Sequence, residues 1–273
     1  MFIPFGFMAT QAGGGGDADA DTFIAAVGTA GGTLSSTEED AIQTLFTDLK
    51  TAGVYDEMFA FYPVIGGLEA THALNGLRVS SSFDLSFNGG WTHAASGMKP
   101  NGTNAYADTS VIYGTPQINN NTYGVYVADS GSGQAYAVDG GVINGTDYWH
   151  LCNYWSATGN GRATNDWNDS VAITTKNGNL MVNMRDATAN AEIWSNGSLD
   201  ATISNSVGGG TTGTRSFFLG AINNDGAGAA SWSYSAREQI FAFFHRRALT
   251  STEIGDISTA INDYQTTLGR NTY

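Results

Sequence analysis

The sequence predicts a mainly β protein: an antiparallel sandwich with a small N-terminal helical region and a C-terminal helix. Three observations carry this. From about residue 77 apolar positions recur with period two, Leu77, Val79, Ser81, Phe83, Leu85 and Phe87 sharing one strand face. Turn dipeptides then punctuate the chain at Asn88-Gly89, Asn101-Gly102, Asn144-Gly145, Asn177-Gly178, Asn196-Gly197 and Asp225-Gly226. No helical stretch separates these runs, so successive strands must pair antiparallel.

The elements follow in order. Residues 1–8, MFIPFGFM, are almost wholly apolar, yet far too short to cross a bilayer. They lack the charged start and small-residue cleavage site of a secretory signal. Four glycines at 13–16 follow as a flexible link. Such an apolar cluster needs cover. The expectation is a docking peptide, with Phe2, Ile3, Pro4, Phe5, Phe7 and Met8 inserting into a partner subunit; the alternative is a segment folded back onto its own core. Residues 17–27 read as a short helix with Asp17, Asp19 and Asp21 at its positive end. A second helix is predicted over 36–52, capped by Ser36 with Glu39 three residues on, its stripe Ile42, Leu45, Phe46 and Leu49 ending at Gly53. Strands are predicted at 105–108, 122–129, 134–139, 147–155, 170–175, 180–185, 191–195, 199–203, 216–222 and 237–245. A final helix starts at the Thr250/Glu253 capping box and carries Ile254, Ile257, Ile261, Tyr264 and Leu268 on one face. The chain thus divides into 1–16 (docking peptide and link), 17–67 (helical region) and 68–273 (sandwich with closing helix).

Composition bounds the function. With 273 residues, 41% apolar and only 13% charged, the chain is globular and rich in polar turns. A net charge of −14 argues against nucleic acid and against cationic membrane binding. The acidity concentrates at the start, where residues 1–60 hold nine carboxylates against Lys50 alone. The single cysteine, Cys152, excludes an intramolecular disulfide.

The segment from Asn179 to Tyr264 resembles the second half of concanavalin A-like (laminin-G-like) jelly-roll domains. The carriers are Ala191-Glu192-Ile193-Trp194-Ser195-Asn196-Gly197, then Ser216-Phe217-Phe218-Leu219-Gly220, then Ile240-Phe241-Ala242-Phe243-Phe244, and the exit Arg247-Ala248-Leu249-Thr250-Ser251-Thr252-Glu253-Ile254. A second resemblance lies in DADADTFIAAVG followed by FYPVIGG and THALNGL, which looks like bacteriophage structural proteins that place this unit ahead of a laminin-G-like domain. That resemblance implies a virion component, a tail fibre, collar or head-decoration protein on the particle surface, assembled with other virion subunits as a symmetric homo-oligomer.

No catalytic constellation is visible. Glycanases of this sandwich type usually align carboxylates as E-x-D-x-E on one strand, and no such run exists. A nucleophile elbow, a Walker A sequence and H-E-x-x-H are absent too. His150 and Cys152 share a strand face but read as core, and His72, His93 and His245 show no ligand spacing. The sequence therefore predicts no enzyme and no catalytic or metal site. Sugar binding is the alternative function. Lectin sites join aromatic platforms to amide and carboxylate groups. The loops 153–168 and 223–232 offer Trp155, Asp166, Trp167, Asn223, Asn224, Asp225 and Trp232, ready to meet a host surface glycan. Calcium is a lesser expectation, from the same loop oxygens.

Overall fold

The computed structural model describes residues 16–77, 83–112, 120–129, 137–144, 147–155, 160–164, 177–185, 190–204 and 213–272. The predicted docking residues Phe2 to Met8 lie outside this set, as do Asp166, Trp167 and the strand predicted at 170–175.

Each long helix begins at a side-chain cap. In α1 (Ala18–Thr29) the Asp17 carboxylate accepts from the backbone N–H of Asp19 and Ala20, at 3.0 and 3.2 Å. The second helix, α2 (Ser36–Thr51), starts where the predicted span starts, but its cap lies one residue earlier than expected. Its cap is Ser35 rather than Ser36, and Glu38 rather than Glu39 closes the box, accepting from Ser35 N–H at 2.8 Å. The chain offers S-x-x-E twice in succession, and the earlier pair adds one more residue to the hydrogen-bonded helix. The short α3 (Glu69–His72) was not anticipated. The closing helix α4 (Ser251–Thr267) has the predicted Thr250/Glu253 box, and Ile254, Ile257, Ile261 and Tyr264 are all buried.

The strands form two sheets. One runs β12 (Ser198–Ser204), β11 (Asn190–Ser195), β10 (Gly178–Arg185), β6 (Asn120–Val127), β15 (Gln239–His245), β4 (Gly97–Pro100) and β3 (Trp91–Ala94). An eighth strand, β1 (Met58–Tyr62), also pairs with β15, Met58 opposite His245 and Tyr62 opposite Ala242. The second sheet runs β2 (Ser86–Asn88), β5 (Tyr106–Ile112), β13 (Ser216–Leu219), β7 (Gly140–Asn144), β8 (Asp147–Trp155) and β9 (Asn160–Thr164). Every pairing among these is antiparallel; β14 (Ile222–Asn224) alone joins β7 in parallel. The mainly β, two-sheet sandwich expected from the sequence is the observed architecture.

The two faces of the eight-stranded sheet bury different partners. Tyr123, Val125, Val182, Ile193 and Phe244 face the second sheet and pack with Ala107, Val142, Leu151, Phe217 and Leu219. Tyr126, Met181, Trp194, Phe241 and Phe243 face the other way and pack with Phe23, Ile42, Phe46, Ile257 and Ile261 of the helices. Both faces of β15 are therefore covered, and all seven of its residues are buried, which explains its continuous apolar run. Fully burying one such large side chain is worth roughly 1.5–3 kcal/mol. The helices thus share a core with the sheet, and β1, drawn from the expected helical region 17–67, is one of its strands.

Candidate functional site

The loop from Gly220 to Gln239 carries four of the sequence-predicted contact residues, and its geometry separates them. It leaves β13 through Gly220, whose φ of +78° is left-handed. After β14 it turns tightly at Asp225 (φ +49°) and Gly226 (φ +78°), as the Asp-Gly dipeptide predicts. Asn223 is 4% exposed and spends its carboxamide on the loop itself. Its Nδ2 donates to the Ser216 carbonyl at 2.9 Å, and its Oδ1 accepts from Gly226 N–H at 3.1 Å. Both ends of the carboxamide thus help hold the loop's own shape. Asn224 and Asp225 sit exposed at the tip, where Arg215 Nε lies 3.5 Å from Asp225 Oδ1. Trp232 is 37% exposed, one of few large apolar side chains at the surface. Trp155 ends β8, past a register irregularity.

A buried polar hub fixes this loop. Asp139, before β7, accepts at Oδ1 from Ser235 Oγ (3.0 Å), and its carbonyl accepts from Gly220 N–H and Gln239 Nε2, both at 2.8 Å. Arg237 Nη2 lies 3.0 Å from Asp139 Oδ2, a charge contact without hydrogen-bond alignment. Arg237 and Asp139 are each 1% exposed, so breaking the pair leaves a charge in the interior.

Sequence reasoning missed two groupings. His72 and His93, 21 residues apart, meet with Nδ1 atoms 3.0 Å apart. One ring donates and the other accepts, so the contact needs complementary tautomers. Burial, with His93 and Arg270 adding, pulls the pKa of His72 down to about 3. Burial also lowers His93, against the pull of Glu69, whose Oε2 lies 3.8 Å from His93 Nε2. Their pairing depends on β3 lying beside α3, which no spacing in the chain reveals. The second grouping is a cavity of about 410 Å³ beside β1. Phe59 and Phe83, ring centroids 4.5 Å apart, form its apolar wall, and Arg246 lies over the Phe59 ring at 4.8 Å. Tyr55 and Asp56 line it too. Its size and its mixture of aromatic and polar walls suit a small polar ligand. Among the described residues no group of three or more His, Cys, Asp or Glu converges as a metal cage. His150 is buried, as a core residue should be.

No protein-family model and no curated protein sequence matches the chain. Solved structures do share its fold. Domain 4 of AbnA, a GH43 extracellular arabinanase from Geobacillus stearothermophilus, in complex with arabinotriose, superposes with a TM-score of 0.52 at 13% identity, covering 74% of this chain and 98% of that domain. A Trypanosoma rangeli sialidase superposes with a TM-score of 0.50 at 13% identity, covering 81% of this chain. The chain spans only 38% of that sialidase's length. These neighbours overturn the expectation that the chain is no enzyme, since its fold is found within proteins that process glycosides. The sequence argument sought carboxylates alternating on a single strand, whereas a sandwich can gather them from different strands and loops.

Proposed function

We propose that this chain is a carbohydrate-binding sandwich. The observation that carries the reading is its likeness to almost the whole of an arabinanase domain solved with an arabinotriose ligand. Two surfaces have the required chemistry. The cavity beside β1 combines Phe59 and Phe83 with the guanidinium of Arg246 and the carboxylate of Asp56. The loop tip offers Asn224 and Asp225, with Trp232 further along the same loop. Sugars present C–H faces to aromatic rings and hydroxyls to charged or amide groups, so both surfaces fit the class. The test is a glycan array that includes arabinotriose, probed with the full chain and with Arg246→Ala and Trp232→Ala. Saturable binding to one glycan class, weakened roughly tenfold (about 1.4 kcal/mol) by one of the substitutions, is expected. Absence of binding to every glycan removes the reading.

A second reading concerns where the sandwich works. The apolar run 1–8 and the DADADTFIAAVG region support a virion subunit docked through Phe2, Ile3, Phe5 and Phe7. Deleting residues 1–16 should abolish incorporation into particles while the sandwich still folds. Normal incorporation of the shortened chain would refute it.

A further inference from the structure

The cavity beside β1 carries three polar groups that the fold leaves without partners. The first is an amide. Asn75 is 1% exposed and lines the cavity. Its Oδ1 accepts from the Phe61 N–H at 3.1 Å and the Leu77 N–H at 3.2 Å. Its Nδ2 has no hydrogen-bond partner among the described residues, and it is not sealed off from the cavity. A buried amide donor is normally satisfied, so this one calls for an acceptor from outside the chain.

The other two are charges of opposite sign. Arg246 is exposed, and its guanidinium lies 4.8 Å over the Phe59 ring, with no carboxylate at ion-pair distance among the described residues. The next residue, Arg247, takes Glu57 at 3.0 Å and Glu253 at 2.6 Å. Asp56 is exposed as well and has no cation at ion-pair distance among the described residues. Arg246 and Asp56 thus line one cavity without pairing with each other. Asp19, the other carboxylate of the wall, is already neutralised by Lys50 at 2.6 Å. Phe59, Phe83 and Leu77 supply the apolar surface.

We propose that this cavity binds a free α-amino acid with an apolar side chain. The ligand carboxylate accepts from Arg246, whose planar fork offers parallel N–H donors, and from Asn75 Nδ2. The ligand ammonium donates to Asp56, and the side chain packs against Phe83 and Leu77. A volume of about 410 Å³ suits a molecule of this size. A neutral ligand leaves both protein charges without a counter-ion and a singly charged one leaves one of them, whereas a zwitterion answers both. The inference goes beyond the carbohydrate reading and does not rest on it, because the loop tip with Asn224, Asp225 and Trp232 remains as a glycan surface.

The experiment is calorimetric titration of the full chain with phenylalanine, leucine, phenethylamine, 3-phenylpropanoate and arabinotriose. Phenethylamine lacks the carboxylate and 3-phenylpropanoate lacks the ammonium, so the pair separates the two charge contacts. Asp56→Asn and Arg246→Gln change exposed positions and leave the core intact. The expected result is saturable binding of phenylalanine or leucine, with both phenylalanine analogues weaker than phenylalanine by roughly tenfold. Asp56→Asn should weaken the amino acid by roughly tenfold and leave 3-phenylpropanoate unchanged. Arg246→Gln should weaken the amino acid similarly and leave phenethylamine unchanged. The inference is overturned if neither amino acid gives a saturable response, if a single-charge analogue binds as tightly as phenylalanine, or if both substitutions leave amino-acid binding unchanged. Arabinotriose binding that Arg246→Gln abolishes, with no response to either amino acid, overturns the inference while upholding the carbohydrate reading of the cavity.

Discussion

Mild acid should destabilise this protein through its histidines, and His72 sets the scale. The His72 side chain is 0% exposed and is influenced by His93 and Arg270, with burial holding its pKa near 3 against an ordinary 6.5. The folded state therefore keeps the ring neutral at pH 5, while the unfolded chain protonates it. A histidine depressed in this way adds stability above its unfolded pKa, and that stability is lost as pH falls toward the folded value. Between pH 7 and pH 5 the unfolded ring takes up nearly one proton more than the folded one, so His72 alone costs about 2 kcal/mol. His93 and His245 are lowered by burial as well and act in the same direction. Carboxylates with ordinary unfolded pKa values titrate mostly below this window, so the histidines dominate it. Urea unfolding at pH 7 and pH 5 measures the difference, with an unchanged m-value confirming the same transition. The chain should lose at least about 2 kcal/mol, and His72→Asn should lose correspondingly less. Equal stability at the two pH values, or an undiminished loss in His72→Asn, would refute the reasoning.

Three substitutions test individual contacts. Asn183 is 0% exposed and joins Thr122 Oγ1, Leu249 N–H, Leu249 carbonyl and Glu192 at 2.8–2.9 Å. Asn183→Ala leaves several of these buried groups unpaired and should cost about 3 kcal/mol in denaturant unfolding. Arg247 bridges Glu57 at 3.0 Å and Glu253 at 2.6 Å on a partly exposed surface, so Arg247→Ala should cost only about 1 kcal/mol. The same change should raise the pKa of Glu253, held near 2 chiefly by its hydrogen bonds to Arg247, as read by NMR titration. A Cβ at Gly124 would lie 2.4 Å from Phe243 Cε1 within the sheet, so Gly124→Ala should destabilise by roughly 1–3 kcal/mol and lower Tm in a calorimetric scan.

The elements that could be read in advance were those whose signal is local. The Thr250/Glu253 box and the stripe through Tyr264 place α4 because helical period and capping lie within a few residues. The Asp225-Gly226 turn is legible for the same reason, since left-handed backbone selects its residues. The contacts that join distant elements were not legible. Nothing local says that β1 pairs with β15 across about 180 residues, or that His93 on β3 reaches His72. Among the described residues of the strand expected along 77–87, only Ser86 and Phe87 fall in a strand, β2, and β3 and β4 were not anticipated, because turns every few residues erase the period-two signal. The hydrogen bonds of Asn223 to its own loop were not legible either, because composition marks an Asn-rich loop without telling which carboxamide holds the loop's shape.

The placement of the helices decides where ligands can reach this fold. In a bare sandwich the outer faces of both sheets are open. Here α1, α2 and α4 seal the outer face of the eight-stranded sheet with a continuous apolar core, so no ligand can stack on Tyr126, Met181 or Phe241. Sealing one face creates seams where helix ends meet strand edges and turns. Helix ends carry backbone groups without intrahelical partners, and strand edges carry unpaired ones, so the seams are polar by construction. Two cavities lie on such seams, the one beside β1, where α1 and the turn before β1 meet Phe83 and Arg246, and another where the start of α2 meets Ala95 and Arg270. Covering the apolar face and concentrating polar chemistry at its margins are therefore one structural event, and the helical segments that complete the core also build the walls of the sites.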